Sequence, residues 1–403
     1  MATWTDGSAL LCCVAKNSNK LNLNDKTVSE IWNSNHFKDA RLKMLNGEKV
    51  SACDHCYKEE AVGIRSHRIN ENNLWTKKLG QEKINSLISA TKDDGTLDED
   101  LITLDFRLGN TCNLQCVMCR PQDSSMWLKN AKKLSEMLTT EAKWDWKHKA
   151  DIDTGLFDWY KNENLWNDFS SMFPNIRHII FAGGEPLLIK EHLKVIKKLV
   201  ESGYSKDIEL RYHTNGTTLS EEIIDLWKEF KYVELMVSVD AWGKHHDYVR
   251  YPADWNKILT NLKRLDETPD NIDAKILTTI HAMNVYYIPD FAIKLLEQNF
   301  KKIGRLHHDG LFHPGTVHWP RYLCTQIFPD EIKDQIKTKW NSYTELKGIK
   351  QWDEKIMQQM NFMDAEPFNP DLFDQFHDYM RKLDQIRNTS FDETFPEFAE
   401  ILQ

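Results

Sequence analysis

From about residue 100 onward, runs of β-branched and apolar residues alternate with segments whose apolar positions recur every three or four residues. The runs are LITLDFR (101–107), IRHIIF (176–181), IELRYH (208–213), YVELMVSV (232–239) and AKILTTI (274–280), with a weaker one at IGRLHH (303–308). Between them, Leu193, Ile196, Leu199 and Val200 share a helical face, as do Ile223, Ile224, Trp227 and Phe230, and Ile258, Leu259, Leu262 and Leu265. Strand alternating with helix predicts βαβ units on a parallel sheet. Some six repeats make a partial (β/α)6 barrel over 100–328, short of the roughly eight that close one.

The flanks read differently. Residues 120–175 are too long for a bare crossover and carry Trp127, Trp144, Trp146, Trp159 and Trp166, which predicts a helical insertion over the first βα connection. After residue 328 the strand signal stops. Leu372, Phe373, Phe376, Tyr379, Met380 and Leu383 then form an apolar stripe, so 329–403 is expected to be a helical C-terminal extension. The turn signals TDG and LNGEK and two cysteine pairs mark 1–65 as a small separate module, with 66–99 as its linker.

Composition narrows the class. At 403 residues and 41% hydrophobic content the chain can bury real cores. No apolar run approaches the ~18 residues that span a bilayer, so no membrane partner is expected. A net charge of -9 argues against a general nucleic-acid binder, since phosphate contacts need concentrated Lys and Arg. Eight cysteines are too few for a disulfide scaffold, and the start MATWTDGSALLCC lacks a basic segment followed by an apolar run, so a cytoplasmic setting is expected. Seven of the eight fall in the first third of the chain. Such clustering in a reduced protein points to metal.

Cys112, Cys116 and Cys119 lie within TCNLQCVMCR. At helical period they would share one face, as three small core residues do. Their neighbours Gly109, Asn110, Thr111 and Asn113 are turn and cap formers, which favours a loop just after the first strand. Structural zinc takes four ligands, whereas a cubane iron–sulfur cluster can be held by three thiolates with one iron open. At the end of the second predicted strand stands FAGGEPLL, whose Gly183 and Gly184 let a ligand approach the backbone and whose Pro186 suits the first turn of a helix.

Taken together, the triplet and the GGEP segment resemble the radical S-adenosylmethionine (SAM) superfamily. The resemblance implies that Cys112, Cys116 and Cys119 ligate a [4Fe–4S] cluster whose open iron chelates SAM, and that Gly183, Gly184, Glu185 and Pro186 bind its methionyl end. Later strand ends add candidates for SAM contact: Thr214 and Asn215 before Gly216 in HTNGT, then Ser238, Asp240 and Arg250 in VSVDAWGKHHDYVR. Thr278, Thr279, Asn284, His307, His308 and His313 stand near the last strands as weaker candidates.

Cys53 and Cys56 form CDHC after EIWNSNHFKDARLKMLNGEKVSA, a stretch similar to the twitch or SPASM auxiliary-cluster domains. That similarity implies a second iron–sulfur cluster held by Cys53, Cys56 and at least one of Cys12 and Cys13. Relatives with the TDGS…CC hairpin usually have a cysteine upstream; here the chain starts at Met1 inside the hairpin, so that ligand is missing or the start lies upstream of Met1. Adjacent cysteines point apart, leaving an open-site cluster or a fourth ligand such as Cys324. A zinc site of Cys12, Cys13, Cys53 and Cys56 is the alternative.

The expected function is a twitch-type radical SAM enzyme. It would cleave SAM reductively and abstract hydrogen from a substrate, with peptide or protein as the leading class, and take electrons from a reductase, flavodoxin or ferredoxin. The rival from another class is a non-catalytic iron–sulfur or zinc protein that keeps the barrel as a binding or electron-transfer module. A barrel hydrolase is disfavoured, because no nucleophile and base can be paired.

Overall fold

The computed structural model describes residues 1–16, 19–61, 63, 65–99, 101–151, 155–303 and 311–402. The chain forms two compact units. The first comprises Met1–Gly109, Phe157–Arg211 and Glu229–Lys231, and the second Asn110–Leu156, Tyr212–Lys228 and Tyr232–Gln403.

In the first unit, β1 (Ala2–Thr3), β2 (Ala9–Leu10), β3 (Thr103–Arg107), β4 (His178–Ala182) and the first half of β5 (Glu209–Thr214) lie in the order β2-β1-β3-β4-β5. β3 and β4 are parallel, with Thr103 opposite His178 and Arg107 opposite Ala182. Alternate residues of β3 turn inward, so Leu104 and Phe106 are fully buried, and Phe106 meets Phe169 edge-on at 5.3 Å. Helix Glu163–Ser171 supplies that Phe169 together with Leu165 and Trp166.

The amino-terminal segment, expected as a separate module, extends this sheet instead. β1 runs antiparallel to β2 and parallel to β3, with Ala2 opposite Asp105. The Asp105 amide donates to the Met1 carbonyl at 3.1 Å, and the Arg107 amide to Thr3 Oγ at 2.9 Å. The expected linker also holds structure: His67–Ala90 is helical, with Ser66 Oγ capping the Ile69 amide at 3.2 Å and a break at Gly80. None of its side chains is buried, so it lacks the apolar stripe that announces a helix. It is held by polar and ring contacts, Lys78 pairing with Glu209 and Trp75 lying 6.0 Å from the His178 ring.

In the second unit the remainder of β5 is followed by β6 (Tyr232–Ser238), β7 (Ile272–Ile280) and β8 (His313–Thr316), in the order β5-β6-β7-β8. β6 is parallel to β7, Val233 opposite Ile272, and β7 to β8, Leu277 opposite His313. The run at 303–308 falls largely outside the described residues, and the last described strand starts at His313. Helices Glu221–Trp227, Trp255–Asp266 and Ile288–Glu297 separate these strands in sequence; the first two bury Ile223, Ile224 and Trp227, and Ile258, Leu262 and Leu265, of the apolar faces read from their spacing, while the third was not read from the sequence. Beyond residue 328 the described chain is helical, and Phe376, Tyr379 and Leu383 on helix Pro370–Arg387 are fully buried. This is the α/β fold with an amino-terminal cysteine-bearing segment and C-terminal helices that the alternation predicts. Among the described residues no helix is long and apolar enough to cross a membrane.

Candidate functional site

The loop bearing Cys112, Cys116 and Cys119 is irregular rather than helical, which removes the core-helix reading of the triplet. Cys116 is buried, while Cys112 and Cys119 are half-buried. Hydrogen-bond donors converge on two of the sulfurs. Cys112 Sγ faces the Leu114 amide at 3.5 Å and Asn215 Nδ2 at 3.9 Å, and Cys116 Sγ faces Arg250 Nη1 at 3.8 Å. Burial pushes the Cys116 thiol up, and the Arg250 guanidinium opposes it. Burial, then Asp123 and the two other thiols, pushes Cys119 up further. Among the described residues no three His, Cys, Asp or Glu side chains gather as a single-ion site. Three thiols on one loop, with a cation and an amide aimed at their sulfurs, suit an anionic iron–sulfur cluster, whose properties such hydrogen bonds tune.

The later strand ends of the same unit serve this loop. Asn215 Nδ2 donates to Asn113 Oδ1 at 2.9 Å while Asn215 Oδ1 accepts from the Thr217 amide at 2.9 Å, so HTNGT braces the loop beside Cys112. Thr214 Oγ accepts from the Gly216 amide at 3.2 Å. Arg250 Nε donates to Asp240 Oδ2 at 2.6 Å, with Asp240 fully buried. Burial pushes the Asp240 carboxyl up, but the Arg250 charge and hydrogen bonds from Arg250 and the Thr279 amide more than offset it, leaving it below the usual carboxylate range. Thr279 N donates to Asp240 Oδ1 and Asn284 Nδ2 to the Asp240 carbonyl, both at 2.8 Å, and Thr278 Oγ donates to the Val239 carbonyl at 2.8 Å. Thr278, Thr279 and Asn284 thus secure the Asp240 turn. Ser238 ends β6 half-buried and His313 begins β8, while His307 and His308 lie outside the described residues.

The GGEP segment belongs to the first unit. Gly183 has φ +118°, and a Cβ there would lie 2.8 Å from the Leu108 amide nitrogen and 2.9 Å from the Gly109 carbonyl oxygen, so only glycine fits. The Gly184 amide donates to Gly109 O at 3.0 Å. Glu185 is fully buried and caps the short turn Pro186–Leu188, its Oε1 accepting from the Leu187 amide at 3.2 Å.

In that unit the amino-terminal cysteines divide. Cys12 packs against the small core of Ala15, Ala40, Val50, Ala52 and Cys53. The Cys53 thiol is pushed up by burial and then by Cys12 and Cys56. Cys13 points elsewhere: its Sγ is 3.6 Å from His67 Nε2. Burial and the nearby Asp105 push the Cys13 thiol up to about 11. Cys324, in the second unit, is buried with its Sγ 3.7 Å from the Pro320 carbonyl oxygen.

Sequence reasoning did not link Arg387, Tyr379 and Trp127 to the cysteine loop, whose Gln115, Val117 and Cys116 carbonyls they meet. One signal was present. Position 387 continues the stripe of Tyr379 and Leu383 at intervals of four, so a cation sits on an apolar helix face.

Residues 106–283 match the Radical SAM superfamily, and residues 4–57 match the iron-sulfur cluster-binding domain SPASM. An uncharacterized protein of Methanocaldococcus jannaschii is 35% identical over 111 residues, which are 27% of this chain and 34% of that protein. Native anSMEcpe with bound AdoMet is 14% identical at a TM-score of 0.40, over 64% of this chain and 62% of that one. Streptococcus suis SuiB bound to S-adenosylmethionine is 13% identical at 0.35, over 81% and 64%. The chain therefore spans about a third of the curated relative and less than two thirds of these structures.

Proposed function

Because the chain belongs to the radical SAM superfamily over residues 106–283 and carries a SPASM iron–sulfur segment over residues 4–57, we propose that it is an enzyme that cleaves SAM reductively and abstracts hydrogen from a peptide or protein substrate. Its cofactors are a [4Fe–4S] cluster, SAM and further iron–sulfur in the SPASM segment. When bound, such a cluster would supply the low-potential electron that reductive cleavage of SAM requires. The observation that carries this reading is the thiol loop itself, with Arg250 aimed at the sulfur of Cys116 and Asn215 at that of Cys112.

Each residue then has a task. Cys112, Cys116 and Cys119 hold the cluster. Arg250 and Asn215 offset the negative charge on its thiolates. The bare backbone of Gly183 and Gly184, with Glu185 and Pro186, admits the methionyl end of SAM, and Thr214, Ser238 and Asp240 are polar groups at later strand ends. Cys12, Cys53 and Cys56 would hold the second cluster, which would supply an electron acceptor for an oxidative outcome. Peptide is the preferred substrate class by resemblance to twitch- and SPASM-bearing radical SAM enzymes, which modify peptides and other substrates. A flavodoxin, ferredoxin or reductase of the cytoplasm supplies the electron.

The test is anaerobic reconstitution with iron and sulfide, followed by reduction in the presence of SAM. Wild-type protein is expected to bind about eight irons and form 5'-deoxyadenosine, and the Cys112, Cys116 and Cys119 triple alanine variant about four irons and no nucleoside. A fully loaded wild-type protein that yields no nucleoside overturns the proposal.

A further inference from the structure

The cysteine loop donates two backbone hydrogen bonds to a neighbouring segment, Gln115 N to Tyr251 O at 2.5 Å and Val117 N to Val249 O at 2.9 Å, and four consecutive carbonyls around Cys116 are each met by a different side chain. Ser124 Oγ donates to Leu114 O at 2.6 Å, Arg387 Nη2 to Gln115 O, Trp127 Nε1 to Cys116 O at 3.1 Å and Tyr379 Oη to Val117 O at 2.6 Å. Two of the four donors come from one helix, Pro370–Arg387, more than 250 residues away in sequence (|i−j| 272 and 262). We propose that this helix sets the geometry of the cluster-binding loop, with Arg387 and Tyr379 as positioning residues that act through the carbonyls on either side of Cys116. The inference rests on the reading that the loop holds a cluster.

Arg387 is only 5% exposed. Its Nε donates to Gln115 Oε1 and its Nη1 to Tyr248 O, both at 3.3 Å, and its guanidinium carbon lies 5.3 Å from the Trp127 ring centroid and 5.2 Å from that of Tyr251. Among the described residues no carboxylate pairs with it. A buried cation without an acid partner is costly unless negative charge is placed nearby, and an iron–sulfur cluster on Cys116 supplies that charge. Tyr379 is also buried, stacked 6.0 Å from Trp146.

The helix is itself anchored. Asp378 Oδ2 accepts from the Thr139 and Thr140 amides at 2.7 and 2.9 Å. Asp384 accepts from Tyr248 Oη at 3.0 Å and from the Phe391 amide at 2.9 Å, and Asn388 closes the helix in the left-handed conformation at φ 53°. Anchored at Asp378 and Asp384, the helix holds its two donors against the loop beside those backbone contacts.

The experiment uses the full chain, reconstituted anaerobically, as wild type, Tyr379→Phe, Arg387→Gln, Arg387→Lys and the triplet alanine variant. It reads iron release to a chelator, the midpoint potential and electron paramagnetic resonance of the reduced protein, and the thermal midpoint. Losing one hydroxyl donor in Tyr379→Phe is expected to speed triplet-dependent iron release about fivefold. Arg387→Gln is expected to speed it more than about tenfold and to move the potential negative, because a nearby cation favours electron uptake; Arg387→Lys restores the potential but not the retention. Wild-type release, potential and spectrum in Tyr379→Phe and Arg387→Gln overturn the proposal. So does release that rises only in step with a lower thermal midpoint and equal loss of the amino-terminal iron. If the triplet variant keeps all the iron of wild type, the reading beneath the proposal fails, and the proposal with it.

Discussion

Arg250 and Asp240 form a buried ion pair, Nε to Oδ2 at 2.6 Å, and the same guanidinium reaches the sulfur of Cys116 at 3.8 Å. The carboxylate therefore aims the cation at the Cys116 sulfur. Removing one partner strands the other in a dry site, so Arg250→Met and Asp240→Leu are each expected to lower stability by about 3–5 kcal/mol. The double variant should lose less than the sum. A denaturant double-mutant cycle checks this, and additive losses would show that the two side chains do not act as a unit.

Gly183 sits where a side chain has no room. With φ at +118° and an added Cβ falling 2.8 Å from the Leu108 amide nitrogen, Gly183→Ala must shift backbone rather than a flexible side chain. A loss of about 2–3 kcal/mol in urea unfolding is expected, together with weaker SAM binding by calorimetry. A variant of wild-type stability would show that the turn tolerates a side chain.

Strands β3 to β7 were legible because their runs are dense in apolar residues, as were helices whose three-four spacing is equally dense, such as that of Leu193, Ile196 and Leu199; β8, with the sequence HPGT, carries no such run and was not read. Helix His67–Ala90 was not, because it buries no side chain and is held by pairs such as Lys78 with Glu209 that leave no periodic trace. The triplet and GGEP announced the candidate site through spacing and turn chemistry. Their supports did not, since Arg387 and Tyr379 reach the loop from the far end of the chain. Only tertiary structure could pair them.

His192 lies fully buried with its ring 4.7 Å from that of Phe181, and burial lowers its pKa from 6.5 to about 3. The folded state keeps it neutral while the unfolded chain protonates it near pH 6.5, so the unfolded state binds more protons between these values. Its contribution is fully present above pH 6.5 and declines as pH falls toward about 3. Between pH 7 and pH 5 this amounts to about 2 kcal/mol. His192→Leu is expected to flatten the pH dependence of urea unfolding by that amount, whatever its effect at pH 7. An unchanged slope would mean that His192 does not titrate across this window.

Adjacent Cys12 and Cys13 face different partners, and under the proposed function this difference makes Cys12 the cluster ligand and Cys13 a bystander. Cys12 is packed with Cys53, and its thiol, raised first by burial, is raised also by Cys56. Cys13 instead meets His67 at 3.6 Å. With the second cluster on Cys12, Cys53 and Cys56, replacing any of the three by alanine is expected to remove about four irons from the reconstituted protein. Cys13→Ala should keep them, because no ligand is lost and the small core around Ala15, Val50 and Cys53 is untouched. Iron counts with a parallel thermal midpoint decide the matter: iron lost from Cys13→Ala but kept by Cys12→Ala, at equal stability, would exchange the two roles.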